Sequence, residues 1–102
     1  MILTTTNSIE GYSIAEYNGI VSGTAVNTQK MTMTFSMEKY YAGISESISE
    51  VKEKAFEELK ENAEKLNANA IIGINVDIEL TTSNYVAVSV TGTAVSIIKR
   101  RE

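Results

Sequence analysis

The spacing of apolar residues changes once along this chain, and that change constrains the fold more than any other feature. From Ser47 to about Leu66, apolar residues recur at spacings of three and four, which is typical of one face of an α-helix. From Ala70 to Leu80 they recur at every second residue, which is typical of a β-strand. The helical stripe consists of Ile44, Ile48, Val51, Ala55, Leu59, Ala63 and Leu66, with Phe56 beside it. An amphipathic helix followed directly by a strand predicts an α+β subunit with the helix on one face of a sheet.

Capping signals predict where this helix begins and ends. Ser47 and Glu50 have the spacing of a capping box, so the sequence predicts that the helix begins at Ser47. Asn67 or Asn69 can adopt the left-handed conformation that ends a helix. The predicted helix therefore has about 20 residues and a length of about 30 Å.

Three strands are predicted around the helix. Residues 12–26 are extended, and Asn18-Gly19 signals a turn or bulge that could split them into two short strands. Residues 81–84 have the composition of a hairpin loop, and residues 85–98 form the returning strand. On the strand from Ala70 to Leu80, the predicted core face holds Ile72, Ile74, Val76, Ile78 and Leu80, and the other face holds Gly73, Asn75, Asp77 and Glu79.

A repeated hexapeptide predicts how the strands pair. Val21-Ser22-Gly23-Thr24-Ala25-Val26 recurs as Val90-Thr91-Gly92-Thr93-Ala94-Val95. We expect the two copies to lie side by side, with the strand 85–98 between the other two. Their small residues would let the helix, particularly Phe56, approach the sheet, so Gly23, Gly73 and Gly92 are assigned structural roles. A right-handed crossover makes the first strand parallel to the strand that begins at Ala70.

These elements predict one domain over residues 1–102, a β-α-β-β unit. Its sheet is three-stranded and mostly antiparallel, with additional short strands. One helix covers only one face of such a sheet, so one face and two edges remain open. Assembly into a homo-oligomer would cover them.

Residues 27–43 contain a second candidate interface. Met31, Met33, Phe35 and Met37 alternate with Thr and Ser, which predicts a strand or arm with one apolar face. We expect that face to pack against a neighbouring subunit. Thioether ligation of Cu(I) is the alternative, but packing is the commoner role of Met.

Composition excludes several classes of function. The chain has no Cys and no His, which excludes disulfides, thiolate sites and His-based acid–base chemistry. The net charge of −4 argues against binding to nucleic acid, and no apolar run is long enough to span a membrane. The short basic tail, Lys99-Arg100-Arg101, is interpreted as a solvated end rather than an anion contact. The sequence thus predicts a cytoplasmic protein that is not an enzyme.

Acidic side chains offer one candidate metal site. Asp77 and Glu79, together with Glu16 from a neighbouring strand, present the oxygen ligands that a divalent cation such as Ca²⁺ or Mg²⁺ prefers. Zn²⁺ fits poorly because its usual nitrogen and sulfur ligands are absent. The alternative is a solvated or inter-subunit polar face without a ligand. Tyrosines at an interface could instead stack a flat ligand: Tyr12, Tyr17, Tyr40, Tyr41 and Tyr85.

Several of these segments resemble the YbjQ family of small bacterial proteins, whose members are described as uncharacterised or as heavy-metal-binding. The most specific match is the block from Ala68 to Glu79; residues 4–6, residues 11–19 and both Gly-Thr-Ala-Val segments also match. The resemblance implies a dodecin-like subunit and a ring-shaped homo-oligomer, a homopentamer or a multiple of it. This chain has Thr24 and Asn75 where relatives usually have acidic residues, and it lacks the family's Arg-Asp pair and Gly-Gly-Arg-Ser segment before the helix.

Overall fold

The computed structural model describes residues 1–28, 37–80 and 85–101. Its elements in chain order are β1 (Ile2–Leu3), β2 (Tyr12–Thr28), α1 (Met37–Lys65), β3 (Ala70–Leu80) and β4 (Tyr85–Lys99). The strands form one mixed sheet in the order β1-β3-β4-β2, with α1 packed mainly over β2 and β4. Over the residues described, the fold is α+β with one helix on a four-stranded sheet. Nowhere along α1 is there a stretch apolar enough to cross a bilayer.

The helix is longer than the sequence predicts, and the prediction of its first residue is wrong. It begins at Met37, so Ser47 lies within the helix and does not cap it. A cap contributes about 1 kcal/mol, which is small beside the tertiary packing that supplies most of the stability of an amphipathic helix. Met37 also belongs to the helix and not to a strand, whereas Met31, Met33 and Phe35 lie outside the described residues. The helix ends at Lys65, and Asn67 has the left-handed φ of 62° that one of the two predicted terminators requires.

β2 is one strand of 17 residues and does not split at Asn18-Gly19. The register shifts there by a β-bulge, and a second shift lies between Ile14 and Glu16. The bulged Asn18 donates its side-chain N–H to the carbonyl of Leu66 at 2.8 Å and accepts a hydrogen bond from Ser96 Oγ at 3.1 Å. The bulge therefore ties the edge strand to the end of the helix.

The strand order is as predicted, because β4 lies between β2 and β3 and is antiparallel to both. The two hexapeptides are neighbours, with Gly23 opposite Val90. A Cβ added at Gly23 would overlap the carbonyl oxygen of Ala55 and lie 2.7 Å from the backbone nitrogen of Leu59. The nearest atoms at this contact are those of the helix backbone at Ala55 and Leu59, while Phe56 packs against the same core cluster.

A bulge in β3 changes which side chains share a face. Gly73 has a φ of +60°, and the register with β4 shifts between Ile72 and Asn75. Ile74 consequently lies in the core beneath the helix, while Ile72 lies in a second cluster on the opposite face. The prediction that Ile72 and Ile74 share a face is therefore wrong, although Asn75, Asp77 and Glu79 still fall together.

The sheet has an apolar cluster on each of its two faces. The larger lies under α1 and is formed by Val21, Val51, Ala55, Leu59, Ala63, Ala68, Ile71, Ile74, Val86, Val88, Val90 and Ala94. Gly92 lies in this layer, where an added Cβ would come within 2.6 Å of Ile71 Cγ2. The smaller cluster lies on the opposite face, where Ile9, Tyr12 and Ile14 pack over Ala70, Ile72, Val95 and Ile97. Residues 4–11 therefore cover one end of the face away from the helix.

Candidate functional site

The remainder of the face away from the helix is exposed, and we call it the open face. Because side chains alternate along a strand, residues between the core positions of β2 and β4 point away from α1. The open face consists of Asn75, Asp77 and Glu79 on β3, Ala87, Ser89 and Thr91 on β4, and Ile20, Ser22, Thr24 and Val26 on β2. Both predicted carboxylates of β3 are therefore on a surface that no other described segment covers.

Asp77 lies in a row that runs across the strands, together with two hydroxyl side chains. Ser89 is its partner on β4, and Thr24 is the partner of Ser89 on β2. Neighbouring strands are about 4.8 Å apart, so the three side chains are adjacent across the sheet. Glu79 lies one row further, opposite Ala87, and the two rows line a shallow depression. The depression offers two carboxylates and two hydroxyls to a bound group.

Glu16 does not join these carboxylates within one chain. It pairs with Ser96, which is seven positions along β4 from Ser89, or about 23 Å. Ser96 alternates with the second-cluster residue Val95, so Glu16 also points to the other side of the sheet. Across the described ranges, no three Asp or Glu side chains converge as metal ligands would.

The donor set decides which metal ions fit. Every side chain in the depression that can donate an electron pair does so through oxygen, which suits Mg²⁺, Ca²⁺ or Mn²⁺. The imidazole and thiolate ligands that Zn²⁺ and similar heavy metals favour are absent from the sequence, which has no His or Cys. Two carboxylates are also fewer than the six to eight oxygen ligands of a full Ca²⁺ site. One chain therefore provides, in this depression, only part of the ligand set that a hard cation needs.

Ser89 is not evident from the sequence as part of this group. The available signal was the alternation of β4, because Val86, Val88 and Val90 are core residues and Ser89 must therefore face away from them. Its adjacency to Asp77 needs the exact strand register, which the sequence does not specify.

Comparison with known proteins identifies the family. A family model described as "Putative heavy-metal-binding", YbjQ, matches residues 1–98. A UPF0145 protein of Acetivibrio thermocellus is 39% identical over 95% of this chain and 99% of its own length, and a UPF0145 protein of Clostridium kluyveri is 37% identical over the same shares. A solved structure from Pediococcus pentosaceus, a DUF74-family protein of unknown function, superimposes with a TM-score of 0.64 at 24% identity, covering 96% of this chain and 98% of that one.

That structure supports the fold alone, whereas the sequence matches extend over nearly the whole chain. None of the three descriptions names a reaction, so nothing in them indicates catalysis. The chain belongs to the YbjQ family, also called UPF0145, whose function is unknown and whose description is heavy-metal-binding.

Proposed function

We propose that this protein is a non-enzymatic subunit of a ring-shaped homo-oligomer that binds a divalent metal ion weakly through Asp77 and Glu79. The observation that carries the proposal is the position of these two carboxylates, exposed beside Ser89 and Thr24 on the open face. Carboxylate and hydroxyl oxygens are ligands for hard cations. The remaining ligands would come from water or from a second copy, including that copy's Glu16 where assembly brings it close.

Exposed apolar and backbone groups support self-association. Beyond Ile74, no strand among the described residues pairs with the outer edge of β3. Ile78 and Leu80 on that strand are 45% and 59% exposed on the helix side. An open, apolar strand edge favours pairing with another chain. A dodecin-like ring, a homopentamer or a multiple of five, is the assembly we propose, with Met31, Met33, Phe35 and Met37 at subunit contacts.

The charge of the chain supports the remaining part of the proposal. The net charge of −4 disfavours nucleic acid as a partner, and we place the protein in the bacterial cytoplasm with itself as its main partner. The absence of His and Cys from the sequence removes the commonest bases and nucleophiles, which is why we propose a binding protein and not an enzyme.

The metal content per chain tests the binding site. Untagged protein is loaded with Mn²⁺ or Ca²⁺, dialysed, and analysed by elemental mass spectrometry. Asp77→Asn combined with Glu79→Gln should remove the bound metal. Glu57→Gln combined with Glu61→Gln, on the exposed face of α1, makes the same change in charge and should keep it. Equal metal content in both double variants would overturn the proposed site.

A scaffold without any ligand is the second candidate. The observation that favours it is that one chain brings together only two carboxylates, fewer than a complete site needs. It predicts an intact oligomer with no metal after loading, in every variant. Metal bound in proportion to protein and lost with Asp77 and Glu79 would exclude it.

A further inference from the structure

The positive charge outside the helix is concentrated where β4 ends. Lys99 is the last residue of that strand, and Arg100 and Arg101 follow it. Every other Lys or Arg in the described ranges lies on α1. None of the three basic side chains forms an ion pair with another described residue. A protein with a net charge of −4 therefore keeps an unneutralised basic group at this one place.

Two hydrogen bonds hold Arg100 in position. Its backbone N–H donates to the carbonyl of Gly11 at 2.8 Å, and its Nε donates to Ser13 Oγ at 3.2 Å. The sequence alone indicates a solvated end here, but the structure fixes Arg100 against the segment that covers the sheet. The two terminal nitrogens of the guanidinium retain their N–H groups for an acceptor from outside the chain. A side chain that is already ordered loses less entropy when it binds an anion.

Two open hollows meet at Arg100. The first, which we call the basic hollow, has a volume of about 790 Å³. The second, which we call the hydroxyl hollow, has a volume of about 640 Å³ and extends along residues 2–9. Both are within the size range of small-molecule sites. Three residues line both hollows, so one ligand can occupy the two together: Glu10, Gly11 and Arg100.

The charge of the basic hollow selects the kind of anion. Its lining carries the three positive charges of Lys99, Arg100 and Arg101 and the one negative charge of Glu10, which leaves a net charge of +2. A phosphate monoester carries a charge of about −1.5 to −2 at pH 7, whereas a single carboxylate carries only −1. Arginine also binds phosphate through two parallel N–H···O bonds. The basic hollow therefore matches a phosphate monoester better than a carboxylate.

The hydroxyl hollow offers hydrogen-bond acceptors. Thr6 Oγ1 donates its proton to the carbonyl of Ser8 at 2.6 Å, so the proton of the 2.8 Å bond between Thr4 Oγ1 and Thr6 Oγ1 comes from Thr4. Thr4 Oγ1 also accepts from the backbone N–H of Thr6 at 3.1 Å. Both hydroxyl protons are thus used, and each oxygen keeps one lone pair. A ligand that fits these oxygens must donate hydrogen bonds, as the hydroxyl groups of a polyol do.

From this arrangement we infer that the two hollows form one binding site for the phosphate monoester of a sugar or another small polyol. The phosphate lies in the basic hollow, where Arg100 holds it and Lys99 and Arg101 balance its charge. The polyol lies in the hydroxyl hollow and donates to Thr4 and Thr6. The apolar residues that line this hollow contact the carbon skeleton: Ile2, Leu3 and Ile9.

This site is separate from the proposed metal site and from the proposed ring. Lys99 lies ten residues from Ser89 along β4, which is about 33 Å. Binding of the ester needs neither a metal ion nor a second copy of the chain. It is therefore measured in EDTA, where Asp77→Asn with Glu79→Gln should bind the ester as the wild type does.

The test is a titration of the untagged, ¹⁵N-labelled protein with ribose 5-phosphate, followed by NMR and by calorimetry at low ionic strength. We expect saturable binding with a Kd below about 1 mM and the largest shifts at the amides of Gly11 and Arg100. Inorganic phosphate and ribose are the two halves of this probe. Phosphate should shift the same amides with an affinity about tenfold lower, and ribose should not bind at about 10 mM.

Charge variants identify the basic hollow. Lys99→Gln with Arg101→Gln removes two positive charges and should weaken the binding of ribose 5-phosphate at least about tenfold. Lys52→Gln with Lys60→Gln, on the exposed face of α1, makes the same change in charge and should alter the affinity less than about twofold. Glu10→Gln removes the negative charge of the hollow and should tighten binding about threefold. A misfolded variant would not show such a gain.

The variant Thr6→Val separates the two hollows. It removes one acceptor from the hydroxyl hollow and leaves the basic hollow unchanged, so the affinity for ribose 5-phosphate should fall toward that for inorganic phosphate. The affinity for inorganic phosphate should stay the same, which also shows that the variant is folded.

Four results would overturn the inference. They are no saturation by ribose 5-phosphate at about 10 mM, equal affinity for ribose 5-phosphate and inorganic phosphate, equal effects of the two double charge variants, and largest shifts near Asp77 and Ser89. Failure of the metal site or of the ring would change the metal content or the mass and leave each of these titrations as stated.

Discussion

The two faces of this sheet are built from the same strands in opposite ways. On the helix side, Gly23 allows the backbone of α1 to touch β2, and Leu59 is fully buried. On the open face, Ile20 is 85% exposed and Asp77 stands among hydroxyl groups. The first face has the small and apolar residues that a tight core needs. The second combines polar side chains with one large apolar side chain that is exposed to water. The helix side therefore determines the fold, and the open face is where we propose that a ligand or partner binds.

The largest loss of stability is expected when one methyl group is added on the helix side of the sheet. Gly23→Ala would place its Cβ against the backbone of Ala55 and Leu59, which cannot move without shifting α1. We expect a loss of about 3 kcal/mol in the free energy of unfolding, measured by urea denaturation. At Gly11 an added Cβ meets nothing within 4 Å, so Gly11→Ala reports only the strain of its φ of +84°. That variant should lose about 1 kcal/mol, and equal losses in the two variants would contradict the close contact.

A matched pair of truncations compares the contributions of the two faces to stability. Leu59→Ala removes a fully buried side chain and should cost about 3 kcal/mol. Ile20→Ala removes a side chain that is mostly in water, and in dilute protein it should change the free energy of unfolding by less than about 0.5 kcal/mol. Denaturation at two protein concentrations checks this, because the effect of Ile20→Ala should grow at the higher concentration if the open face is an interface. A large loss for Ile20→Ala in the monomer would mean that this side chain belongs to the core.

The sequence predicts well the parts of the fold that are determined by the spacing of apolar residues. The change from helical to alternating spacing places α1 and β3, and the repeated hexapeptide predicts that β4 lies between β2 and β3. The errors occur where a local signal competes with a longer-range effect. Ser47 has the pattern of a cap but lies inside a helix extended toward Met37, and the bulge at Gly73 puts Ile72 on the face opposite to Ile74.

The candidate site is predictable only in part for a related reason. The acidic character of Asp77 and Glu79 is visible in the sequence, and alternation puts them on one face. Their neighbours are set by register across two strands, which the sequence does not fix. Consequently Ser89 was missed, and Glu16 was grouped with carboxylates that lie about 23 Å away along the sheet.

A smaller effect is expected at the free edge of β2. Asn62 on α1 donates its side-chain N–H to the carbonyl of Ser22 at 2.8 Å, and Glu58 accepts from the backbone N–H of Thr24 at 3.4 Å. Asn62→Ala should cost about 1 kcal/mol in thermal or urea unfolding, because the Ser22 carbonyl then has only water as a partner. Lys60→Ala, on the exposed side of the same helix, is the control and should have almost no effect. If both variants behave alike, the helix does not secure this edge.

The smallest change in stability, but an increase in binding, is expected on the open face. Asn75→Asp adds a carboxylate two residues from Asp77 on the same strand, and Thr24→Asp adds one two strands away, in the row that contains Asp77 and Ser89. We expect each to tighten Mn²⁺ or Ca²⁺ binding about tenfold, because affinity for hard cations rises with the number of charged ligands. Titration calorimetry measures this, and in EDTA the free energy of unfolding should fall by only a few tenths of a kcal/mol. Unchanged affinity in both variants would place the metal elsewhere.

The central claim is that this chain assembles into a ring and binds a metal ion, and native mass spectrometry of the untagged protein tests it most directly. Spectra are recorded before and after chelation. The account predicts a multiple of five times the 11.1 kDa chain before chelation, with bound metal that chelation removes. A single 11.1 kDa chain in both spectra would contradict it, because the protein would then not assemble at all.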